Sequence, residues 1–326
     1  MWSKMRKKFL IILSILIAIL IIGGIYYFLT NDKSLENAEK VTYINLGVIP
    51  EISTSSAKFL NNNIYINEGG TYNISGVLIN GTIFIDTTEE VNIIFNKVTI
   101  VNEYGSILDN RKSKLVRIVL EKETNNILSD GINSNSTIKS ISDIKISGAG
   151  DLLVYGNNQN GITVTNGGLY LDKATIYVIA KLDAFDIADS FTINSGTILG
   201  LGNDNMQMLD DKSKQNSFLF NFDNSLKEGT IIALQNDKQE NIIVFEALRN
   251  FKTLTLSTPD LKMGNYYLIS DVDCKSKKNN GIYESKKVNG GNKIKIGISD
   301  TFWINGINNW YGSMDILNHY VDEILM

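Results

Sequence analysis

The densest acidic cluster in the repeating part of the chain is Asp183, Asp186 and Asp189. If the residues between them form a strand, Phe185 and Ile187 point into a core and Asp186 points outward. Asp183 and Asp189 then flank it at the turns. Such a trio is a candidate metal site, with Asn160 and Asn205 as neutral oxygen donors. The alternative is a set of solvated surface carboxylates. Lys181 precedes Asp183 by two residues and is placed to act as a general base. A solvent-exposed ammonium titrating near ~10.4 is a poor base at neutral pH, so no residue is assigned to catalysis. Paired carboxylates for glycoside hydrolysis need a spatial separation that a sequence does not give. The single histidine, His319, lies in the tail and is read as structural. The single cysteine, Cys274, argues against a disulfide scaffold and a thiolate zinc site.

The elements that would position these groups are short strands. Ile64-Tyr65-Ile66, Thr71-Tyr72-Asn73-Ile74, Thr82-Ile83-Phe84-Ile85 and Val91-Asn92-Ile93-Ile94-Phe95 follow one another, with Asn, Gly, Asp and Ser between them. β-Branched residues dominate and period-two alternation recurs. Three stretches align and end at Asn160, Asp183 and Asn205, at intervals of 23 and 22 residues. A unit of that length predicts a solenoid, in which stacked coils share a core and satisfy each other's backbone. The expected fold is therefore all-β, a right-handed parallel β-helix over residues 51–300; a β-sandwich is the competing architecture. In the tail, 301–326, Trp303, Trp310 and Tyr311 form an aromatic loop. Met314, Leu317, Val321 and Leu325 then recur at helical steps, as in a short capping helix or one packed on the flank.

The N-terminus reads differently. Lys4, Arg6, Lys7 and Lys8 precede an apolar run of 21 residues from Phe9 to Leu29. As a helix it is roughly 31 Å long at ~1.5 Å per residue, close to a ~30 Å hydrocarbon core. Residues 1–30 are thus expected to be a cytoplasmic tail and a single transmembrane signal anchor, with 31–50 a stalk and everything after it outside the cell membrane. A cleaved signal peptide is the alternative. The anchor region takes four of the 31 basic residues and none of the 35 acidic ones. The remainder is more acidic than the formal −4 of the whole chain, which excludes a nucleic-acid binder of the usual basic kind.

Four ordered segments carry a resemblance. Gly69-Gly70-Thr71-Tyr72-Asn73-Ile74-Ser75-Gly76 comes first, then Val91 to Ile100. Asn125-Asn126-Ile127-Leu128-Ser129-Asp130-Gly131 and Ile146-Ser147-Gly148-Ala149-Gly150-Asp151-Leu152 follow. Together they resemble a family of exported bacterial carbohydrate-binding β-helix proteins related to the polysaccharide lyases. That family repeats an Asp-Gly-Ile turn. The turn stands here as Asp130-Gly131-Ile132 and, altered, as Asn160-Gly161-Ile162, Asp183-Ala184-Phe185 and Asn205-Met206-Gln207.

The resemblance covers residues 55–270 and implies a parallel β-helix, binding to acidic or cellulosic polysaccharide, and bound calcium. On this reading Asp130, Asn160, Asp183 and Asn205 stack along one edge at ~4.8 Å per coil, as calcium ligands or as a ladder of Asx turns. Tyr155, Tyr170 and Tyr177 are the outward aromatics of the repeats; Tyr155 and Tyr177 with Lys181 make the expected sugar-binding set. The alternatives are a calcium-dependent lyase and a structural surface solenoid.

Overall fold

The computed structural model describes residues 41–298, apart from 205, 211, 285 and 286, together with residues 311 and 312. The anchor, the tail helix, Trp303, Trp310, His319 and Asn205 lie outside the described residues. Among those described, no helix is long and apolar enough to cross a membrane.

The chain winds as a β-solenoid of about five turns. Each turn lays down three faces. Face one holds Val41–Leu46, Leu115–Leu120, Asp143–Gly148 and the first halves of Gly70–Ile79, Val91–Val101, Leu169–Ala180 and Phe191–Gly202. These four long strands bend across a corner, and their second halves join Asn125–Ser129 and Asp151–Gly156 to form face two. Face three is the separate seven-stranded sheet, from Ala57–Leu60 to Phe185–Ile187. Pairing between coils is parallel and in register, so like stacks on like. Ile93, Ile118, Ile146, Leu171 and Ile193 form one inward column, and each is at most 3% exposed. Alternation explains this: every second residue of a strand faces the core, and a fully buried Ile or Leu contributes roughly 1.5–3 kcal/mol.

Val41–Leu46 pairs with Gly70–Ile79, so the solenoid starts inside the segment expected to be a stalk. It is closed at this end by two short antiparallel strands, Glu51–Ile52 on face one and Ala57–Leu60 on face three. Doubling back in this way removes an open parallel edge.

The parallel ladder also stops well before residue 300. Phe191–Gly202 is its last member; Phe251–Ser257 and then Ser217–Leu226 add to it antiparallel. A six-stranded antiparallel sheet follows, built around Ile231–Asn236, Asn241–Glu246, Gly264–Ser270 and Asn292–Ile298. Its apolar side packs on the outer surface of face two, where Leu153, Tyr177, Ile179, Leu199 and Leu201 share a cluster with Ile232, Leu234, Phe245 and Leu268. The physical reason is visible in Ile176-Tyr177-Val178-Ile179: a strand apolar on both sides needs a layer on both sides.

The corner between faces one and two demands unusual backbone. Gly148 sits there at φ +107°, and a Cβ would lie 2.2 Å from the carbonyl oxygen of Leu120 in the coil before. Gly148→Ala is therefore expected to cost about 3 kcal/mol, combining a strained φ with overpacking. Urea unfolding of the variant checks this; an unchanged midpoint would show that the coils can separate at this corner.

Candidate functional site

With face two covered, faces one and three remain, and on face three the outward side chains gather polar and aromatic groups in a line. Tyr65, Phe84, Asp109, Lys139, Thr163 and Asp186 are successive register partners on six neighbouring strands. Each lies between inward residues such as Ile64 and Ile66, Ile83 and Ile85, or Phe185 and Ile187, all almost fully buried. The row therefore rests on a packed core, with ~4.8 Å between neighbours.

At one end the row is acidic. Asp186 is exposed between buried Phe185 and Ile187, as alternation predicts. Asn160 and Asp183 face each other across neighbouring coils: the Asp183 N–H donates to Asn160 Oδ1 at 3.2 Å. The Asn160 amide donates to Asp186 Oδ2 at 3.0 Å, and the Ser136 hydroxyl donates to Thr163 Oγ1 at 2.5 Å. Asp183 Oδ1 is buried with no hydrogen-bond partner. Burial, followed by the charges of Asp204 and Asp186, pushes the Asp183 carboxyl up to about 6.

The other expected ligands sit apart. The coil partner of Asn160 is Ser136, so Asp130, six residues upstream, is outside the column. It is 3% exposed. One oxygen accepts the Asn157 N–H at 2.5 Å and the other has no partner. Burial outweighs its hydrogen bonds and raises it to about 6. Asp189 follows the strand Phe185–Ile187 at the end opposite Asp183 and is exposed. Among the described residues no three His, Cys, Asp or Glu side chains gather as a metal-holding group.

The expected sugar platforms move too. Tyr177 points out of the solenoid but is 1% exposed beneath the antiparallel sheet, and its hydroxyl donates to the Glu246 carbonyl at 2.7 Å. It offers no ring face to a ligand. Tyr155 is half-buried against the same cluster. Lys181 is exposed at the corner, its N–H bonded to the Gly156 carbonyl. Tyr170 lies on face one with the Lys145 ammonium 5.6 Å from its ring centre.

The aromatic end of the row was missed by sequence reasoning, although alternation in Ile64-Tyr65-Ile66 and Ile83-Phe84-Ile85 signals it. The Tyr65 and Phe84 rings lie 5.1 Å apart. Arg111 stacks 3.6 Å over Phe84 and donates from Nε to Asp109 at 3.1 Å. Beyond Tyr65 a groove of about 710 Å³ opens, lined by Ile52, Ala57, Lys58, Phe59 and Asn67 among others.

The buried Asp130 sets a pH signature. Its unfolded-state carboxyl titrates near ~3.9, and its folded one at about 6. Between these values the native state holds a proton that the unfolded chain has released, so stability falls as pH rises through the window and levels off above it. Asp183 contributes in the same direction, less strongly because it reaches solvent. In chelator, Asp130→Asn is expected to lose on the order of 2 kcal/mol less than the parent between pH 4 and 7. Urea unfolding at the two pH values measures the difference; equal losses would mean Asp130 is solvated when charged.

The model of one family, described as "Carbohydrate-binding domain-containing protein", matches residues 60–247. Among curated proteins there is no match. A solved structure, the polysaccharide lyase-like protein from C. thermocellum as a gadolinium derivative, is similar at 24% identity. It covers 51% of this chain and 70% of its own, with a TM-score of 0.46. The family match takes in more than half of the chain, including the site row from Tyr65 to Asp186, and the chain accordingly belongs to the carbohydrate-binding domain-containing protein family.

Proposed function

We propose that this protein is a polysaccharide binder displayed outside the cell, held by its N-terminal apolar segment, which lays an extended glycan along face three with the help of a calcium ion. The observation that carries the reading is the outward row of six register partners from Tyr65 to Asp186. Its rung spacing of ~4.8 Å is close to the length of one sugar residue in an extended glycan. The row supplies what sugar recognition needs: an aromatic face at one end, an ammonium at Lys139 in the middle and a carboxylate at Asp186 at the other end. Because these groups are fixed by the strands beneath them, little is lost in ordering them on binding.

Calcium fits the acidic end by donor chemistry. It takes six to eight oxygens at ~2.3–2.6 Å. The unpartnered Asp183 Oδ1, the Asp186 carboxylate and the Asn160 amide oxygen are hard donors, with the charge of Asp204 acting on Asp183 as well; glycan oxygens would have to complete the set. A divalent charge there would also relieve the repulsion that adds to the effect of burial on Asp183. When bound, the ion supplies a bridge to hydroxyl or carboxylate oxygens of the glycan; the protein's own row orients the chain.

Calorimetry of the full chain in nanodiscs, with cellohexaose and with an oligogalacturonate, tests the reading. Lys139→Ala, in the middle of the row, is expected to weaken binding about three- to tenfold, and Lys145→Ala on face one to leave it unchanged. Calcium is expected to raise the thermal midpoint by a few degrees and Asp183→Asn to remove that rise. Absence of heat with both glycans would overturn the binding function, and a calcium response that survives Asp183→Asn would move the ion elsewhere.

A further inference from the structure

We infer that the groove at the first coil is a sugar-ring subsite in which Tyr65 is the stacking platform; this deepens the carbohydrate-binding reading and rests on it. The row on face three has two aromatic rings, and only one is left for a ligand. Phe84 is closed by the guanidinium of Arg111, itself tied to Asp109. Tyr65, one coil nearer the end, lines the groove instead.

The groove is made by the way the solenoid is closed. Ala57–Leu60 folds back antiparallel on Asn63–Ile66, which sets Lys58 opposite Tyr65. Glu51–Ile52 folds back on face one and brings Ile52 and Thr54 to the other side. The result is a cleft of about 710 Å³, within the ~300–1,000 Å³ typical of small-ligand sites. Part of its lining is apolar, with Ile52 and Phe59 packed against the core. Its rim is polar. Asn67 is exposed and donates its amide nitrogen to the Tyr65 carbonyl at 3.3 Å, and Lys58 is exposed as a donor.

Apolar lining, one aromatic face and a polar rim match a pyranose ring, whose C–H face is apolar and whose edge carries hydroxyls. The groove also continues the face-three row, so a ring seated on Tyr65 belongs to the same glycan that crosses Lys139 and Asp186. Lys58 decides between a neutral sugar and a uronate: a carboxylate would engage it, a hydroxyl would depend on it less.

The test is calorimetry of the full chain with cellohexaose and with an oligogalacturonate. Tyr65→Ala is expected to weaken binding roughly tenfold, and Tyr65→Phe, which keeps the ring, to stay within about threefold. Asn67→Trp, on an exposed turn, is expected to fill the groove and weaken binding by a similar factor at an unchanged thermal midpoint. This keeps the inference testable if Tyr65→Ala unfolds. Lys58→Ala reducing oligogalacturonate binding alone would assign a uronate. Parent-like affinity in both Tyr65→Ala and Asn67→Trp would overturn the subsite while leaving carbohydrate binding intact. A parent protein that takes neither glycan would overturn both together.

Discussion

Coil-to-coil backbone pairing is the constraint on which everything else in this molecule depends. A strand in a parallel solenoid has no partner within its own turn; its N–H and C=O groups are satisfied only by the coils on either side. The coils must therefore stay ~4.8 Å apart all the way round, corners included. Where the chain turns, backbone groups fall out of the ladder, and buried side chains replace the missing partners. Asn126, fully buried, accepts the Val98 N–H of the preceding coil at 2.9 Å and donates to the Asp151 carbonyl of the next at 3.1 Å. Asn110 plays the same part at another corner, donating to the Ser113 carbonyl and to the Ser140 and Ser142 hydroxyls. Asn126 thus ties three coils together and Asn110 two, and an unpaired buried polar group at such a point would cost more than its own bond was worth.

The same constraint explains how two identical-looking turns differ. Asp130-Gly131-Ile132 and Asn160-Gly161-Ile162 read as one motif, and reading them so puts Asp130 and Asn160 in one column. In the fold they are not equivalent. Gly131 is required because the turn passes over the backbone of the previous coil, with Glu103 carbonyl atoms 2.0 Å from where a Cβ would stand. Gly161 is required because the Val178 side chain fills that space. The extra residues between Asp130 and Ser136 displace one turn from the other. A turn dipeptide reports that the chain bends, whereas register is set by what stacks beneath it.

Much of the architecture was nonetheless legible. The 23-residue interval between Asn160 and Asp183 is a true register step, and the alternation that places Asp186 outward holds. Two things were not legible, for different reasons. Tyr177 reads as an outward aromatic, and it is outward; what covers it lies about seventy residues later, at Glu246, and local periodicity carries no information about a second layer. Tyr65 and Phe84 were visible as alternation but not as a pair, because their adjacency comes from the pairing of Asn63–Ile66 with Ile83–Ile85 and not from any local spacing.

The distribution of work among the three faces follows from what each can expose. Face two has apolar residues on both sides in its later coils, and the antiparallel sheet fastens there. Arg249 donates to the carbonyls of Gly156 and Asn157, Asn279 donates to Asp151, and Glu246 joins Lys278 and Tyr283 beside them. A face used in that way cannot also read a ligand. Face one is open but closes its charges on each other: Arg117 pairs with Glu90 at 2.6 Å and Lys145 sits over Tyr170. Face three keeps an unpartnered carboxylate oxygen at one end and a ring beside an open groove at the other. An unsatisfied buried group is costly to keep, and of the three faces only face three combines one with an aromatic ring beside an open groove, which is why the proposed binding site is placed there.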